Sequence, residues 1–394
     1  MGEDIQRDNQ DQFVDQRGKG ARICFVAPTA YSLLSGSNPS CVIGPAVHQV
    51  LLARELLLYG FDVTFITYDE GGLPFEQING MKIIKTYSER SRINLLLKAL
   101  RTWRAMTRAN ADIYFQQGGV AGAVSVFCRL KRRRFALGIG SDAHVSKTRR
   151  DFGIVDRFGT WVDIKLASVV VVQTEFQREM LRKNFGRDGL LIRNHIPLGV
   201  KGMPDKSTPA IVLWVGSMAE VKQPQLFLEL AQAVPEGKFQ MIGGYSLASN
   251  EERATYERIV ADSKKISNFE VLGAIPFDKI NDHFSRAAVL VNTSKFEGFP
   301  YAFLQAWMHH APVVSLDADP DELICRNKLG FHSRSFGQLA NDVRTLLSDE
   351  HLRQEMGMNG RRYVEKEHDI KSVVRQYVRV FNNMVGVSPV IGTR

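Results

Sequence analysis

The sequence predicts an α/β protein built from two doubly wound domains that face each other across a cleft. Apolar, strand-like runs alternate with helical segments along the whole chain, an order that implies parallel strands joined by helices. The alternation lapses once, at residues 193–209, where Pro and Gly gather and periodicity ends. The length of 394 residues also exceeds one typical hydrophobic core, so two domains are expected.

The first domain is predicted at residues 20–200, after a polar segment at 1–19 that we expect to be a disordered tail. Its first long helix begins near Pro45, because proline suits the first helical turn, and ends at Gly60. Buried runs predict strands at 21–28, 61–68, 111–117, 133–140 and 167–174.

The second domain is predicted at residues 210–369, after a linker at 201–209. Ligands of open parallel sheets bind where the strand carboxyl ends meet, so the space between the two domains is the predicted site. An amphipathic helix within the final segment, 370–394, is predicted to cross back to the first domain. The pattern predicts a helix at 224–234 and strands at 210–217, 238–244, 268–275, 287–294 and 311–316.

The net charge of +9 lies entirely in the first half of the chain. Residues 82–134 carry 13 basic and 2 acidic side chains, and Ile93, Leu96, Leu97, Leu100 and Trp103 fall on one side of a helix there. This pattern is typical either of a solvated basic face or of a surface that meets anionic lipid or a phosphate-bearing substrate. Nucleic acid is not predicted as a partner, because aromatic residues are not interleaved with the basic ones.

Four cysteines share no CxxC spacing and have no histidine cluster nearby, which predicts reduced thiols in a cytoplasmic protein. We expect neither a secretory signal nor a membrane span, because no apolar run approaches the required length. Asp317-Ala318-Asp319 resembles a DxD metal motif, but we interpret it as a loop and predict no metal.

The stretch KFEGFPYAFLQAWMHHAPVV at residues 295–314 joins a strand to a helix and indicates an anion site. The helix start offers free backbone N–H groups and the positive end of the helix dipole, while Gly298 permits close approach to the backbone. Glu297 would repel a phosphate, so its expected partners are hydroxyl groups. Phosphate and polyol together describe a nucleotide sugar. The alternative interpretation of Glu297 is a simple helix-start carboxylate.

This stretch resembles the donor-site motif of the retaining glycosyltransferases of family 4, the group 1 glycosyl transferases. Those enzymes have the GT-B fold of two Rossmann-like domains. The resemblance continues in order through IGPAVHQVLLARELLLYGFDVTFIT, VGSMAEVKQPQLFLELA, FQMIGG and VLGAI, and covers residues ~20–385. It implies transfer of a sugar with retained configuration, helped by positioning and by stabilisation of the departing diphosphate.

The resemblance implies a role for each matched position. Lys222 and Gly44 would contact the diphosphate, and Glu297 the hydroxyls of the transferred sugar. The further donor-binding residues are predicted as Gly216, Ser217, Gly273, Ile275, Ser294, Gly298, Phe299, Pro300 and Gln305. Asp142 and His144 are candidates for contacting the sugar or acceptor, with a structural histidine as the alternative for His144. The predicted catalytic set is therefore Glu297, Lys222, Asp142 and His144.

Three positions depart from the family pattern. Ser217 stands where a cation is common, Gln305 where a Glu holds the ribose, and His310 where a helix ends in Gly. A neutral Gln still accepts a hydroxyl hydrogen bond, and a left-handed His is strained but tolerated. These departures leave a non-catalytic nucleotide-sugar-binding relative as one alternative. A nucleotide-sugar epimerase on the same fold is another.

We therefore expect a glycosyltransferase that uses a UDP- or GDP-type nucleotide sugar and needs no cofactor. The predicted acceptor is a glycan or a polyprenyl-phosphate-linked molecule, as in the synthesis of cell-surface polysaccharide or glycolipid. The expected location is the cytoplasm, peripheral on the membrane face through the basic residues of 82–134.

Overall fold

The computed structural model describes residues 20–37, 44–118, 122–146, 153–199 and 210–386. The predicted tail at 1–19 and the predicted linker at 201–209 lie outside the described residues, as do residues 387–394 of the predicted final segment.

The first domain contains an eight-stranded sheet in the order β3-β4-β2-β1-β5-β6-β7-β8. Every described strand pair in it is parallel except β3 with β4. Its elements are β1 (Arg22–Val26), α1 (Tyr31–Ser35), α2 (Gly44–Leu58), β2 (Asp62–Thr67), β3 (Phe75–Ile78), β4 (Met81–Lys85), α3 (Leu95–Ala109), β5 (Ile113–Gln117), α4 (Ala123–Leu130), β6 (Arg134–Gly138), α5 (Ile154–Leu166), β7 (Val169–Val172), α6 (Glu175–Phe185) and β8 (Leu190–Leu191).

The second domain contains a six-stranded, wholly parallel sheet in the order β11-β10-β9-β12-β13-β14. Its elements are β9 (Ile211–Val215), α7 (Pro224–Ala233), β10 (Lys238–Ile242), α8 (Asn250–Ser263), β11 (Phe269–Gly273), α9 (Asn281–Arg286), β12 (Ala287–Asn292), α10 (Tyr301–Met308), β13 (Val313–Ser315), α11 (Leu323–Arg326), β14 (Gly330–His332), α12 (Phe336–Ser348) and α13 (Glu350–Glu367). Helix α14 (Ile370–Val385) follows.

The central strands are buried on both faces, as their continuous apolar runs predict. Phe25 of β1 stacks on Phe65 of β2 and meets Phe115 of β5 edge-on, with ring centroids 5.1 and 5.5 Å apart. The fold class of two Rossmann-like α/β domains is confirmed. The sequence pattern missed β3, β4, β8 and β14, which are edge or near-edge strands of two to five residues.

Helix α14 packs against α2 and β5 of the first domain. Its buried rings Tyr377 and Phe381 both lie about 6 Å from Phe115, each measured centroid to centroid at 6.1 Å. The segment that leads into α14 runs beside the segment that leaves the first domain, because Ile196 pairs with Asp369 in an isolated parallel bridge. Two neighbouring segments of chain therefore join the domains at this seam.

Helix α3 projects a partly apolar, basic face. Leu95, Leu96 and Leu100 are 70%, 79% and 42% exposed. Trp103 instead turns inward and meets the Phe127 ring edge-on at 4.9 Å, so it does not belong to the exposed face that the helical pattern assigned to it. Within the described residues, none of the helices combines the length and apolar character needed to span a bilayer.

Candidate active site

A cavity of ≈ 970 Å³ lies between the two domains, where strand carboxyl ends from both sheets meet. The amino ends of α2 and α10 both reach it, and a Cβ added to Gly44 would stand 3.7 Å from the Tyr301 ring. The predicted residues that line this cleft are Gly44, His144, Gly216, Ser217, Lys222, Ile275, Glu297, Gly298, Phe299, Pro300 and Gln305. Residues far apart in sequence thus meet in one place.

Lys222 and Glu297, 75 positions apart, form an ion pair at the second-domain wall of the cleft. Lys222 Nζ lies 2.5 Å from Glu297 Oε1, and the side chains are 27% and 11% exposed. Asn292 Nδ2 donates to the same Glu297 oxygen at 3.3 Å. The pair holds one positive and one negative group side by side, and both residues line the cleft.

The loop before α7, which carries Lys222, is held in place by hydrogen bonds from buried side chains. Trp214 Nε1 donates to Thr293 Oγ1 at 3.0 Å, and Thr293 Oγ1 donates to the Lys222 carbonyl at 2.7 Å. Gly216 has no room for a side chain, because an added Cβ would come within 2.9 Å of the Trp214 ring. Gln223 then takes a left-handed conformation (φ 46°), and Pro224 begins the helix.

Gly298 is required for a different reason from the one predicted. We expected its open backbone to admit a ligand, but a Cβ there would meet Gly140 O of the first domain at 2.8 Å. Asn194 Nδ2 also donates to the Phe299 carbonyl at 2.8 Å. The first domain itself therefore closes on this loop, although Gly298 still lines the cleft.

The first-domain wall of the cleft presents neutral amides. Gln117, Gln173 and Asn194 line it and are 7%, 3% and 1% exposed. His144 also lines it, close to Gly118, whose added Cβ would lie 3.5 Å from His144 Cε1.

Three predicted site residues do not line the cleft. Asp142 instead accepts a hydrogen bond from Gln177 Nε2 at 3.0 Å. Ser294 is 2% exposed and bonds with Asn292 through its backbone N–H and its hydroxyl. Gly273 has φ +73° and its carbonyl accepts the Gly243 N–H, so its backbone is used within the sheet.

The cleft also contains residues that the sequence pattern missed. Gln117 is the last residue of β5, Gln173 and Asn194 follow β7 and β8, and Lys295 is separated from the EGFP motif by one residue. Their position after strand ends was the available signal, since parallel strands end at one edge. A single Gln or Asn, however, does not form a motif that can be recognised in a sequence.

Outside the cleft, Asp319, Cys325 and His332 place ligand atoms within 4.8 Å of one another, an arrangement that could hold a metal ion. Asp319 already accepts the backbone N–H of Ile324 at 2.8 Å, which caps the start of α11. Asp317-Ala318-Asp319 itself is a loop after β13.

The chain resembles known proteins at this site and across the whole fold. Residues 209–349 match the family described as "Glycosyl transferases group 1". The poly(ribitol-phosphate) alpha-N-acetylglucosaminyltransferase of Staphylococcus aureus (strain COL) is 22% identical over 224 residues, which are 54% of this chain and 44% of that protein. The chain spans less than half the length of the curated relatives it matches.

Two solved structures share the fold over nearly the whole chain. Sucrose-phosphate synthase from Thermosynechococcus elongatus is 16% identical with a TM-score of 0.79, covering 93% of this chain and 100% of that one. The Anabaena protein HepE, solved in complex with UDP-glucose, is 13% identical with a TM-score of 0.70, covering 92% and 100%. Residues 209–349 are thus a group 1 glycosyl transferase domain, set within a chain that has the GT-B fold.

Proposed function

We propose that this protein is a retaining glycosyltransferase that moves a sugar from a nucleoside-diphosphate sugar to a hydroxyl group of an acceptor. The observation that carries the proposal is the Lys222–Glu297 pair, at a cleft into which two helix amino ends point. Lys222 and the helix ends supply positive charge for a diphosphate, while the Glu297 carboxylate accepts hydrogen bonds from sugar hydroxyls. When the donor binds, the Lys222–Glu297 ion pair is replaced by two contacts, one between Lys222 and the diphosphate and one between Glu297 and the sugar hydroxyls.

Retention fits the composition of the opposite wall. Among the described residues that line the cleft on the first-domain side, none is a carboxylate. In the proposed reaction a phosphate oxygen of the leaving group takes the acceptor proton, so no side chain has to act as nucleophile. Proton NMR of the product tests this, because a product with inverted anomeric configuration contradicts the mechanism.

The donor is proposed to be of UDP or GDP type. HepE was solved with UDP-glucose, which makes UDP and its sugars the first probes. Turnover is expected without added divalent metal, since Lys222 and the two helix ends provide the positive charge at the diphosphate.

The acceptor is proposed to be a glycan or a lipid-linked molecule handled at the cytoplasmic face of a membrane. The exposed Leu95, Leu96 and Leu100 of α3 lie beside Lys98 and Arg101, a pairing that favours an anionic lipid surface. Sedimentation with vesicles tests it. Binding that is equal with neutral and with anionic vesicles contradicts the electrostatic part.

The central experiment is thermal unfolding of the wild type and of Lys222→Ala with UDP, GDP and ADP. A nucleotide at about 100 times its dissociation constant adds about 2.7 kcal/mol to stability. We expect one nucleotide to stabilise the wild type and Lys222→Ala to lose most of that effect. Lys265→Ala is the matched control, because Lys265 is exposed, does not line the described cleft and pairs with Asp262 of α8. Equal stabilisation of wild type and Lys222→Ala contradicts the donor site.

A binding protein without turnover is the second candidate, and Ser217 and Gln305 are the observations that favour it. Both line the cleft as neutral groups where charged ones are common in the family. Nucleotide-dependent stabilisation without sugar release, with any acceptor or with water, supports this candidate. Interconversion of the nucleotide sugar without an acceptor supports the third, an epimerase.

A further inference from the structure

A second cavity of ≈ 610 Å³ adjoins the donor cleft, and Ser217 lines both. Its first-domain wall consists of the segments that follow β1, β2 and β4, and its second-domain wall of the segment around Ser246. It therefore lies at the carboxyl edge of the first sheet, next to the position proposed for the diphosphate.

The walls of this second cavity are rich in carboxylates. We call it the acidic pocket, after Asp69, Glu70, Glu89 and Glu252, which line it; among the described lining residues Arg90 is the one cation. Partial burial of the Glu70 carboxyl, and after it the nearby charge of Glu89, raise the pKa of Glu70, while the charge of Lys85 acts in the opposite direction. Hydroxyl groups fill much of the remaining lining, including those of Tyr68 and Ser246.

Both domains build the acidic pocket. Ser246 Oγ of the second domain donates to Glu89 Oε1 of the first at 2.8 Å. The Ser246 backbone N–H donates to Glu252 Oε2 at 2.9 Å. Carboxylates from both domains are thereby held around one space.

The first-domain wall of the donor cleft also presents hydrogen-bond acceptors. Gln117 Oε1 and Asn194 Oδ1 are buried, line the cleft and accept no hydrogen bond from the described parts of the chain. A buried acceptor without a donor costs about 1–3 kcal/mol, which a ligand hydroxyl would recover once a side-chain rotation turns the oxygen toward the cleft. The donor cleft and the acidic pocket thus both offer hydrogen-bond acceptors to a ligand.

We propose that the first-domain side of the interdomain space, from the Gln117 wall to the acidic pocket, binds an acceptor unit that is rich in hydroxyl groups and carries no phosphate or carboxylate. This inference rests on the proposed function and names its acceptor class. Carboxylate and amide oxygens accept hydrogen bonds from hydroxyls, whereas an anionic group in the acidic pocket would meet four carboxylates and one guanidinium in the part of the lining that the structure describes. Any phosphate of a larger acceptor lies outside the acidic pocket.

The test is saturation-transfer NMR on the full chain in the presence of UDP. The probes are ribitol and methyl glucoside, each compared with its phosphorylated form, ribitol 5-phosphate and glucose 6-phosphate. We expect the neutral probes to bind and the phosphorylated ones to bind at least several-fold more weakly. Glu70→Gln and Glu89→Gln weaken the neutral probes about tenfold, as expected for losing one hydrogen bond to a charged group. Gln117→Leu, similar in volume, acts in the same direction.

Glu251→Gln is the matched control, because Glu251 is exposed on α8 next to Glu252 but does not line the acidic pocket. Phosphorylated probes that bind as tightly as the neutral ones overturn the proposal. The proposal is also overturned if UDP binds but none of the neutral probes does, and that outcome is still consistent with the proposed donor site. If instead UDP does not bind while the neutral probes still depend on Glu70 and Glu89, the transferase proposal fails and the polyol site stands.

Discussion

The buried histidines at the interdomain seam make the stability of this protein depend on pH. His48, His195 and His368 are 1%, 0% and 0% exposed. Burial lowers the pKa of His195 and of His368 to about 3, and that of His48 well below 6.5. In the unfolded chain each has its ordinary pKa of 6.5, so the unfolded state binds protons that the folded state excludes. Stability is therefore complete above about pH 6.5 and is lost as the pH falls.

The magnitude follows from proton linkage. Between pH 7 and pH 5, His195 and His368 each remove about 2 kcal/mol from the free energy of unfolding, or about 4 kcal/mol together, and His48 acts in the same direction. Asp163 acts in the opposite direction. Burial raises the pKa of its carboxyl to about 6, so this group adds about 1 kcal/mol over the same range. The expected net loss from His195, His368 and Asp163 is about 3 kcal/mol, and His48 increases it.

Urea unfolding at pH 7 and pH 5 measures the loss, and His368→Gln isolates one part of it. His368 Nδ1 donates to the Asn194 carbonyl at 2.6 Å, which glutamine can imitate without titrating. We expect this variant to reduce the difference between the two pH values by about 2 kcal/mol. His351→Gln, at an exposed position, is the control and leaves the difference unchanged. A pH difference in His368→Gln equal to that of the wild type refutes the assignment.

Three further predictions concern closure of the cleft and the donor. Asp321, left-handed at φ 51°, accepts two backbone N–H bonds at 2.9 and 3.0 Å from the start of α6 in the other domain, so Asp321→Ala costs about 1–2 kcal/mol of closure. The measured result is nucleotide affinity weakened about tenfold, with Asp321→Asn intermediate; unchanged affinity in both contradicts the contact. Gly298→Ala places a Cβ 2.8 Å from Gly140 O and forces the domains apart, measurable as a larger radius of gyration in X-ray scattering, whereas Gly44→Ala has 3.7 Å of room and keeps the wild-type radius. Gln305→Glu restores the charge that is common at this position in the family. Calorimetry is expected to show several-fold tighter binding of the nucleoside diphosphate and unchanged binding of the free base. An equal gain in affinity for both ligands argues against a contact with the ribose.

The sequence anticipated the parts of this protein that depend on local pattern. Buried runs located the central strands, and the family resemblance singled out Lys222 and Glu297, which the fold brings to 2.5 Å. The left-handed His310, predicted from its place at a helix end, has φ 58°. The functional roles of these residues remain predictions.

What escaped the sequence depends on contacts between distant segments. The neighbour of Gly298 is Gly140, and no local pattern reveals that the other domain comes so close to this loop. Asp142 follows a strand, as a site residue does, yet its carboxylate is directed to Gln177. The short strand β3 carries Glu76, which pairs with Lys85 of β4, and its mixed composition hides it from a search for apolar runs.

The paired segments at the seam also determine how this architecture can be recombined. The outgoing chain at Ile196 and the returning chain at Asp369 lie side by side, and α14 completes the core of the first domain. In topological terms, the second domain is therefore an insertion into the first, bounded by two junctions that adjoin in space. A chimaera that exchanges the second domain between related chains should be cut at both junctions. A single crossover at the linker would also replace α14 and leave the first domain with a mismatched core.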